Sequence, residues 1–228
     1  MVSVIVPTSN ERDNIGSLLA AVRKALDDAD FEVLVVDDGS SDGTREAVSE
    51  DARQHPNVRL IQRRRKLGLS SAVLDGAAQS AGSIVVMMDA DFSHDPTLLP
   101  LLVKQVRSGS DVVIGSRNVR GARLVGWPLH RRIGSMLMTR FVRSVFRLRV
   151  RDPLSGFVAF RREVLEKLPT RFSARGFKLL LEVLTTQPSL RVSEVPITFA
   201  DRTHGTSKFG LGEIREFVLL CYRLLRWR

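Results

Sequence analysis

Two kinds of apolar pattern alternate along the first half of the chain. Near-continuous, Val/Ile-rich runs occur at VSVIVPT (2–8), FEVLVVDD (31–38), VRLIQR (58–63), SIVVMMDAD (83–91) and DVVIGS (111–116). Such runs predict strands buried on both faces. Between them apolar residues recur every three or four positions, as with Ile15, Leu18, Leu19, Val22 and Leu26 in 14–28. That spacing predicts helices over 14–28, 41–52, 70–81 and 95–109, the last opening on Asp95 and Pro96, good helix-start chemistry. Strand–helix alternation implies an α/β fold with a mainly parallel sheet flanked by helices on both faces. Ligands on such sheets sit beyond the carboxyl ends of the strands.

Past residue 116 the pattern changes. The segment 127–150 has helical spacing, with Ile133, Leu137, Phe141 and Val145 on one face and Arg132, Arg140, Arg143 and Arg147 along another. A strand–helix pattern follows DPLSGF (152–157), then a helix over 177–187, a strand over 191–199, a polar loop over 200–208 and a helix over 211–228. No repeat or clean linker interrupts the chain. It reads as a single domain, 1–228, with a first half, 1–116, and a basic, amphipathic second half, 117–228.

Charge sharpens that division. Residues 1–116 hold 12 Lys/Arg against 17 Asp/Glu, and residues 117–228 hold 23 against 8. From Val112 to Arg151 there are ten arginines and no acid. The basic half should meet something anionic: nucleic acid, a phosphorylated ligand or a membrane surface. The only cysteine, Cys221, excludes a disulfide framework and fits a reducing compartment. The first residues lack signal-peptide character, and no run approaches the ~18 apolar residues of a membrane span.

Candidate chemistry gathers at strand ends. Asp89 and Asp91 close the fourth strand, and alternation puts both on one side of an extended segment. Paired carboxylates repel unless a cation neutralises them, and a hard divalent ion takes one or two carboxylates plus water and phosphate oxygens. Alone, Asp-x-Asp is more often a solvated or capping pair. A second acidic end, Asp37–Asp38, leads into the turn GSSDG, and the first strand ends with Glu11 nearby. Three equipped strand ends on one rim are harder to ascribe to chance. His94 is expected to pack or hydrogen-bond at the next helix start, outside any catalytic set.

The series PTSNE, VVDDGSSDGT, GLSSAVLDG, MDADFSHDP, IGSR, DPLSGF and EVPITFADRTHGTSKFG resembles the family-two glycosyltransferases of GT-A (Rossmann-like) fold, and within them the dolichol- or polyprenol-phosphate mannose synthases. The likeness runs from Val2 to Trp227. It implies GDP-mannose as donor, a divalent metal (Mg²⁺ or Mn²⁺) and dolichyl or polyprenyl phosphate as acceptor. Carried across, Pro7, Ser9 and Glu11 fall in the nucleotide-contacting first loop, and Val36 and Asp38 at the base- and ribose-binding strand end. Asp89, Ala90 and Asp91 form the metal and diphosphate motif, with Ser93 completing the metal shell directly or through water. Arg117, Arg131, Arg202 and Lys208 are expected at phosphates. Asp91, Arg117 and Arg131 make up the implied catalytic set. Relatives usually carry a tyrosine where this chain has Ser9, so a stacking surface is missing.

The nucleophile would be a phosphate oxygen, already anionic, so cations rather than a general base are needed and in-line displacement would invert the anomeric carbon. Loop 200–208, with Gly205 as hinge, is a candidate lid. The helices at 131–148 and 211–228 suit a membrane interface, and the expected setting is peripheral, on the cytoplasmic face, with a membrane-spanning partner a further option. Two other readings compete. One keeps the scaffold and uses a UDP-sugar. The other is a basic nucleic-acid-binding module, disfavoured by 6% aromatic content, the acidic rim and the lack of a recognised motif; no nucleic-acid partner is expected. A P-loop is absent from the sequence.

Overall fold

The computed structural model describes residues 1–64, 68–169, 178–201 and 211–227. In chain order the elements are β1 (Val2–Thr8), α1 (Arg12–Ala25), β2 (Phe31–Asp37), α2 (Thr44–Gln54), β3 (Val58–Gln62), α3 (Leu69–Gln79) and β4 (Ile84–Met87). A short 3-10 turn (Pro96–Leu98) precedes α4 (Leu99–Arg107), β5 (Val112–Ser116), β6 (Arg123–Val125) and α5 (Leu129–Phe146). Then come β7 (Val158–Arg161), α6 (Arg162–Glu166), α7 (Leu179–Thr186), β8 (Val192–Pro196), β9 (Thr198–Ala200) and α8 (Leu211–Trp227).

The sheet runs β3-β2-β1-β4-β7-β5-β8. The chain reverses its direction of sheet growth between β1 and β4, the place where open α/β sheets bind ligands. All pairings are parallel except those of β7, which lies antiparallel between β4 and β5. Because β7 runs backwards, the segment entering it, 152–157, meets the carboxyl ends of the other strands.

Alternation explains the continuous apolar runs. Val2, Val4 and Val6 face one core with Ile15, Leu18 and Leu19 of α1 and Leu102 and Val106 of α4. Ile5, Val85 and Met87 face the other with Val73 of α3 and Leu180 and Val183 of α7. Each such fully buried side chain contributes roughly 1.5–3 kcal/mol.

The expected strand over 191–199 is two strands in two sheets. Ile197 is buried between exposed Pro196 and Thr198, and beyond it β9 pairs with β6. The expected helix over 127–150 spans only 129–146. Pro128 is extended (φ −66°, ψ 152°), and a proline biases the preceding Trp127 away from helix. The expected helix at 95–109 starts with the 3-10 turn, where Asp95 accepts the Thr97 N–H at 2.9 Å.

A third, smaller core joins α5, α7 and α8 through Val142, Phe146, Leu181, Leu220, Cys221 and Leu224. It uses only part of the apolar surface of these helices. Ile133, Leu137 and Phe141 of α5 and Val218, Tyr222 and Leu225 of α8 remain exposed. Among the described residues no helix is long and apolar enough to cross a membrane.

Candidate active site

The rim carrying the acidic strand ends is cross-linked through backbone groups. Asn10, in a left-handed conformation (φ 60°), receives the Ser41 N–H on its side chain at 2.9 Å and donates its own N–H to Ser40 Oγ at 2.9 Å. Glu11 precedes α1; its N–H donates to Thr44 Oγ1 at 2.9 Å and its carboxylate accepts from Asn14 at 2.7 Å. Pro7 and Ser9 are half-buried beside it.

The two acids ending β2 divide the work. Asp37 is buried and accepts the N–H groups of Gly39 and Ser40, closing the turn. Asp38 stands one residue further out, accepting from Arg63 Nη1 at 3.0 Å and from the Gly68 N–H at 3.1 Å. Arg63 also reaches Asp75 at 3.0 Å, tying α3 to this strand end. Val36 is wholly buried in the core, so only its backbone can meet a ligand.

Past Met87 the chain leaves the sheet, and Asp89, Ala90 and Asp91 lie in a loop rather than a strand. Asp91 is 3% exposed. Its carboxylate accepts the Ser93 N–H at 3.1 Å, a return made possible by left-handed Phe92 (φ 57°), a conformation uncommon for a bulky residue. The Ser93 hydroxyl is buried and makes no hydrogen bond. Ala90 packs its methyl into the core; like Val36 it offers a ligand only backbone.

Asp89 is partly open, and its surroundings were not legible in the strand-end pattern. Its N–H donates to His94 Nδ1 at 3.2 Å. His94 is buried, stacked on Phe157 at 5.1 Å and edge-on to Phe199 at 5.4 Å. Burial depresses its pKa to about 4 against the pull of Asp91, so the ring is neutral and the Nδ1 acceptor fixes the tautomer. Beside the Asp89 carboxylate lies Gly156, where a Cβ would stand 3.2 Å from Oδ2 and 3.3 Å from His94 Cε1. The DPLSGF segment thus forms one wall of the site.

Arg117, at the end of β5, grips that wall. Its Nε and Nη2 donate to the two Asp152 carboxylate oxygens, each at 2.8 Å, and its backbone N–H adds a third bond at 2.9 Å. Burial would raise the Asp152 pKa, but the guanidinium outweighs it and holds the carboxyl below its ordinary range. Burial would likewise lower Arg117; Asp152 and then Asp89 overcome this and raise it. A second cation, Lys178, donates to the Leu154 carbonyl at 3.3 Å. Its removal from water and the nearby Arg117 bring its pKa down to about 8, opposed by Asp89 and Asp152. A lone lysine heading an apolar helix was the signal that could have singled it out.

Arg131 reaches this corner through aromatic rings. Its guanidinium lies 4.7 Å from the Trp127 ring centre and Arg117 5.9 Å from the same ring; Trp127 stands edge-on to Phe199 at 5.2 Å. Arg131 also pairs with Asp201 at 3.0 Å. Asp89, Asp91, Ser93, Arg117 and Arg131 therefore converge on one corner, while Pro7, Ser9, Glu11 and Asp38 line the rim over β1 and β2. Arg202, Lys208 and the candidate lid beyond Asp201 lie outside the described residues.

The corner fits a hard divalent ion. Among the described residues no cluster of three or more His, Cys, Asp or Glu side chains forms a closed metal cage. What is present is a carboxylate pair and an unpartnered buried hydroxyl. An ion that completes its shell with water and phosphate oxygens needs no more. Four carboxylates (Asp89, Asp91, Asp152, Asp201) face three cations (Arg117, Arg131, Lys178), which leaves the corner net negative.

A parallel sheet with one reversed strand, a switch-point rim and a carboxylate pair beside arginines define a GT-A-like glycosyltransferase. Residues 3–169 match the model of the family described as glycosyl transferase family 2, and the chain belongs to that family. It is 40% identical to the dolichol-phosphate mannosyltransferase of Pyrococcus furiosus, covering 99% of this chain and 64% of the relative. It is 36% identical to the polyprenol monophosphomannose synthase of Mycolicibacterium smegmatis, covering 98% of this chain and 85% of the relative. The chain thus spans less than two thirds of the length of the archaeal relative. The fold is similar to that of the glucosyl-3-phosphoglycerate synthase of Mycobacterium tuberculosis in complex with Mn²⁺, UDP-glucose and phosphoglyceric acid. That match has a TM-score of 0.73 at 22% identity and covers 99% of this chain and 80% of that one.

Proposed function

We propose that this protein transfers mannose from GDP-mannose to a dolichyl or polyprenyl phosphate, with inversion at the anomeric carbon. The observation carrying the reading is the convergence of Asp89, Asp91 and Ser93 with Arg117 and Arg131 on one corner of the rim. The names of relatives at 36–40% identity over nearly the whole chain support the substrate class. Pro7, Ser9, Glu11 and Asp38 would bind the nucleoside, with backbone groups of Val36 and Ala90. Asp91, Asp89 and Ser93 would hold Mg²⁺ or Mn²⁺, which when bound supplies neutralisation of the leaving diphosphate.

The chain's own groups account for the rest. A phosphate monoester oxygen is already anionic and needs no base. Two phosphorylated substrates repel, and Arg117 and Arg131, joined by Arg202 and Lys208, would offset that repulsion. Asp152 occupies Nε and Nη2 of Arg117, so Nη1 is the group directed to a phosphate. Asp152 and Lys178 act through others: one orients Arg117, the other fixes the 152–157 wall. The exposed apolar faces of α5 and α8, with Arg132 and Arg226 beside them, suit a peripheral seat on the cytoplasmic face of a membrane.

The test is transfer from labelled GDP-mannose to a polyprenyl phosphate, with and without EDTA. A metal-dependent mannosyl lipid is expected. Competition by UDP but not GDP would reassign the donor, and no lipid product from either donor would overturn the reading. Polar replacements of exposed Ile133, Leu137, Tyr222 and Leu225 should reduce liposome flotation; unchanged flotation would remove the membrane seat.

A further inference from the structure

The exposed stripe on α5 ends in a basic pocket that the transfer reaction does not use. Ile133, Leu137 and Phe141 are 43–57% exposed and recur every four residues. Ser144 continues the same face by helical spacing, and Leu148 follows just past the helix end at Phe146. There a cavity of about 400 Å³ opens, lined by Arg140, Arg143, Ser144 and Leu148. Arg143 Nε is buried and makes no hydrogen bond. A guanidinium only donates, so that N–H is open to an acceptor oxygen.

Among the described residues no acid pairs with it. The acids flanking the basic stretch are taken: Asp111 by Arg191 and Arg161, Asp152 by Arg117. Glu182, buried in neighbouring α7 with one carboxylate oxygen unbonded, is pushed towards its protonated form by burial and has Arg223 as its nearby cation. The helix carbonyls at this end do not compete, since Arg143 and Ser144 carbonyls accept from the Leu148 and Arg147 N–H groups. Arg143 lies about three turns, roughly 18 Å along the axis, from Arg131, too far to grip the same phosphate.

We propose that the Arg140–Arg143–Ser144 pocket is a second oxyanion site that takes the phosphate-ester headgroup of a membrane lipid, with the α5 stripe receiving its apolar part. A forked donor, a second guanidinium and a hydroxyl match phosphate oxygens, and the apolar stripe leading into the pocket favours an amphiphile over a free ion. The site stands independently of the transfer reading.

The full chain is tested against dihexanoyl phosphatidic acid below its micelle concentration, against inorganic phosphate, and against phosphatidylcholine vesicles with and without phosphatidic acid. Three variants are compared with wild type: Arg140→Ala/Arg143→Ala, Ser144→Glu, and Arg107→Ala/Arg120→Ala as a control of equal charge change. Phosphatidic acid affinity should fall about tenfold or more in the first two and hold in the control, with vesicle binding following the same order. Ser144→Glu keeps both arginines and carries the test should the double variant fold poorly. Inorganic phosphate bound as tightly as phosphatidic acid would overturn the lipid as occupant. Equal phosphatidic acid binding by wild type and both pocket variants would overturn the site.

Discussion

Arg117 and Asp152, 35 residues apart, meet in a two-pronged ion pair reinforced by a backbone N–H, with the carboxylate wholly buried. The pair fastens the end of β5 to the wall beside Asp89. Asp152→Ala leaves a buried guanidinium without its counter-ion, and the unfolding free energy should drop by about 3–5 kcal/mol. Arg117→Lys should keep the charge but lose the fork, with a smaller stability loss and a large loss of transfer. Urea denaturation of both variants checks this; an Asp152→Ala protein as stable as wild type would show the pair to be dispensable.

Gly156 leaves room for the Asp89 carboxylate. In Gly156→Ala the new methyl stands 3.2 Å from Oδ2 and 3.3 Å from His94 Cε1, so Asp89 or His94 must give way. A shift of the carboxylate should cost about tenfold or more in kcat and weaken metal binding, with little change in melting temperature. Unaltered metal titration and kcat would mean that Asp89 tolerates the displacement.

Ser93 offers a signature of opposite signs. Its hydroxyl is buried without a partner, so Ser93→Ala should stabilise the metal-free protein by roughly 1 kcal/mol. The same change should weaken Mn²⁺ or Mg²⁺ binding several-fold if the hydroxyl reaches the ion directly or through water. Calorimetry with the metal and a denaturant melt without it read the two effects. Intact metal affinity would remove Ser93 from the site.

Two buried groups push pH dependence in opposite directions. Burial lowers the His94 pKa from 6.5 to about 4. Over that window the unfolded chain takes up a proton the folded chain refuses, so stability falls as pH falls. Burial raises the Glu182 pKa from 4.5 to about 7. There the folded chain keeps a proton the unfolded chain has released, and this contribution fades as pH rises through 7. The slopes oppose each other between about 4.5 and 6.5. Glu182→Gln should unmask a stability that climbs with pH by up to about 1.4 kcal/mol per unit in metal-free buffer. No steeper climb than in wild type would contradict the assignment.

The sequence revealed much of the scaffold because β1, β2, β4 and β5 are buried on both faces, and burial of that kind writes itself as unbroken Val/Ile. The reversal of β7 was not legible: VAFR is buried the same way in either direction. Strand β6 has only three residues and is half-exposed, so it leaves no periodicity. On α5 the spacing revealed an apolar stripe but not what covers it. At the site, the acids at strand ends stood out by their contrast with the apolar runs before them. Lys178 and His94 did not, because their roles come from contacts across the chain, to Leu154 and to the Asp89 backbone. The partner Arg117 finds in Asp152 was hidden for the same reason.

The reversed strand also fixes a sequence of events. Val85 pairs with Phe160, and Val112 with Phe160 from the other side, so β4 and β5 have no neighbour between them until β7 has been made. Asp152 and Gly156 precede β7 by only a few residues. On the ribosome, where a chain emerges from its N-terminus and folds as segments become available, the rim over β1 and β2 can form early. The corner with Asp89, Arg117 and their shared wall is completed only when residues near 160 have emerged. The corner is thereby the last part of the rim to be assembled on the nascent chain.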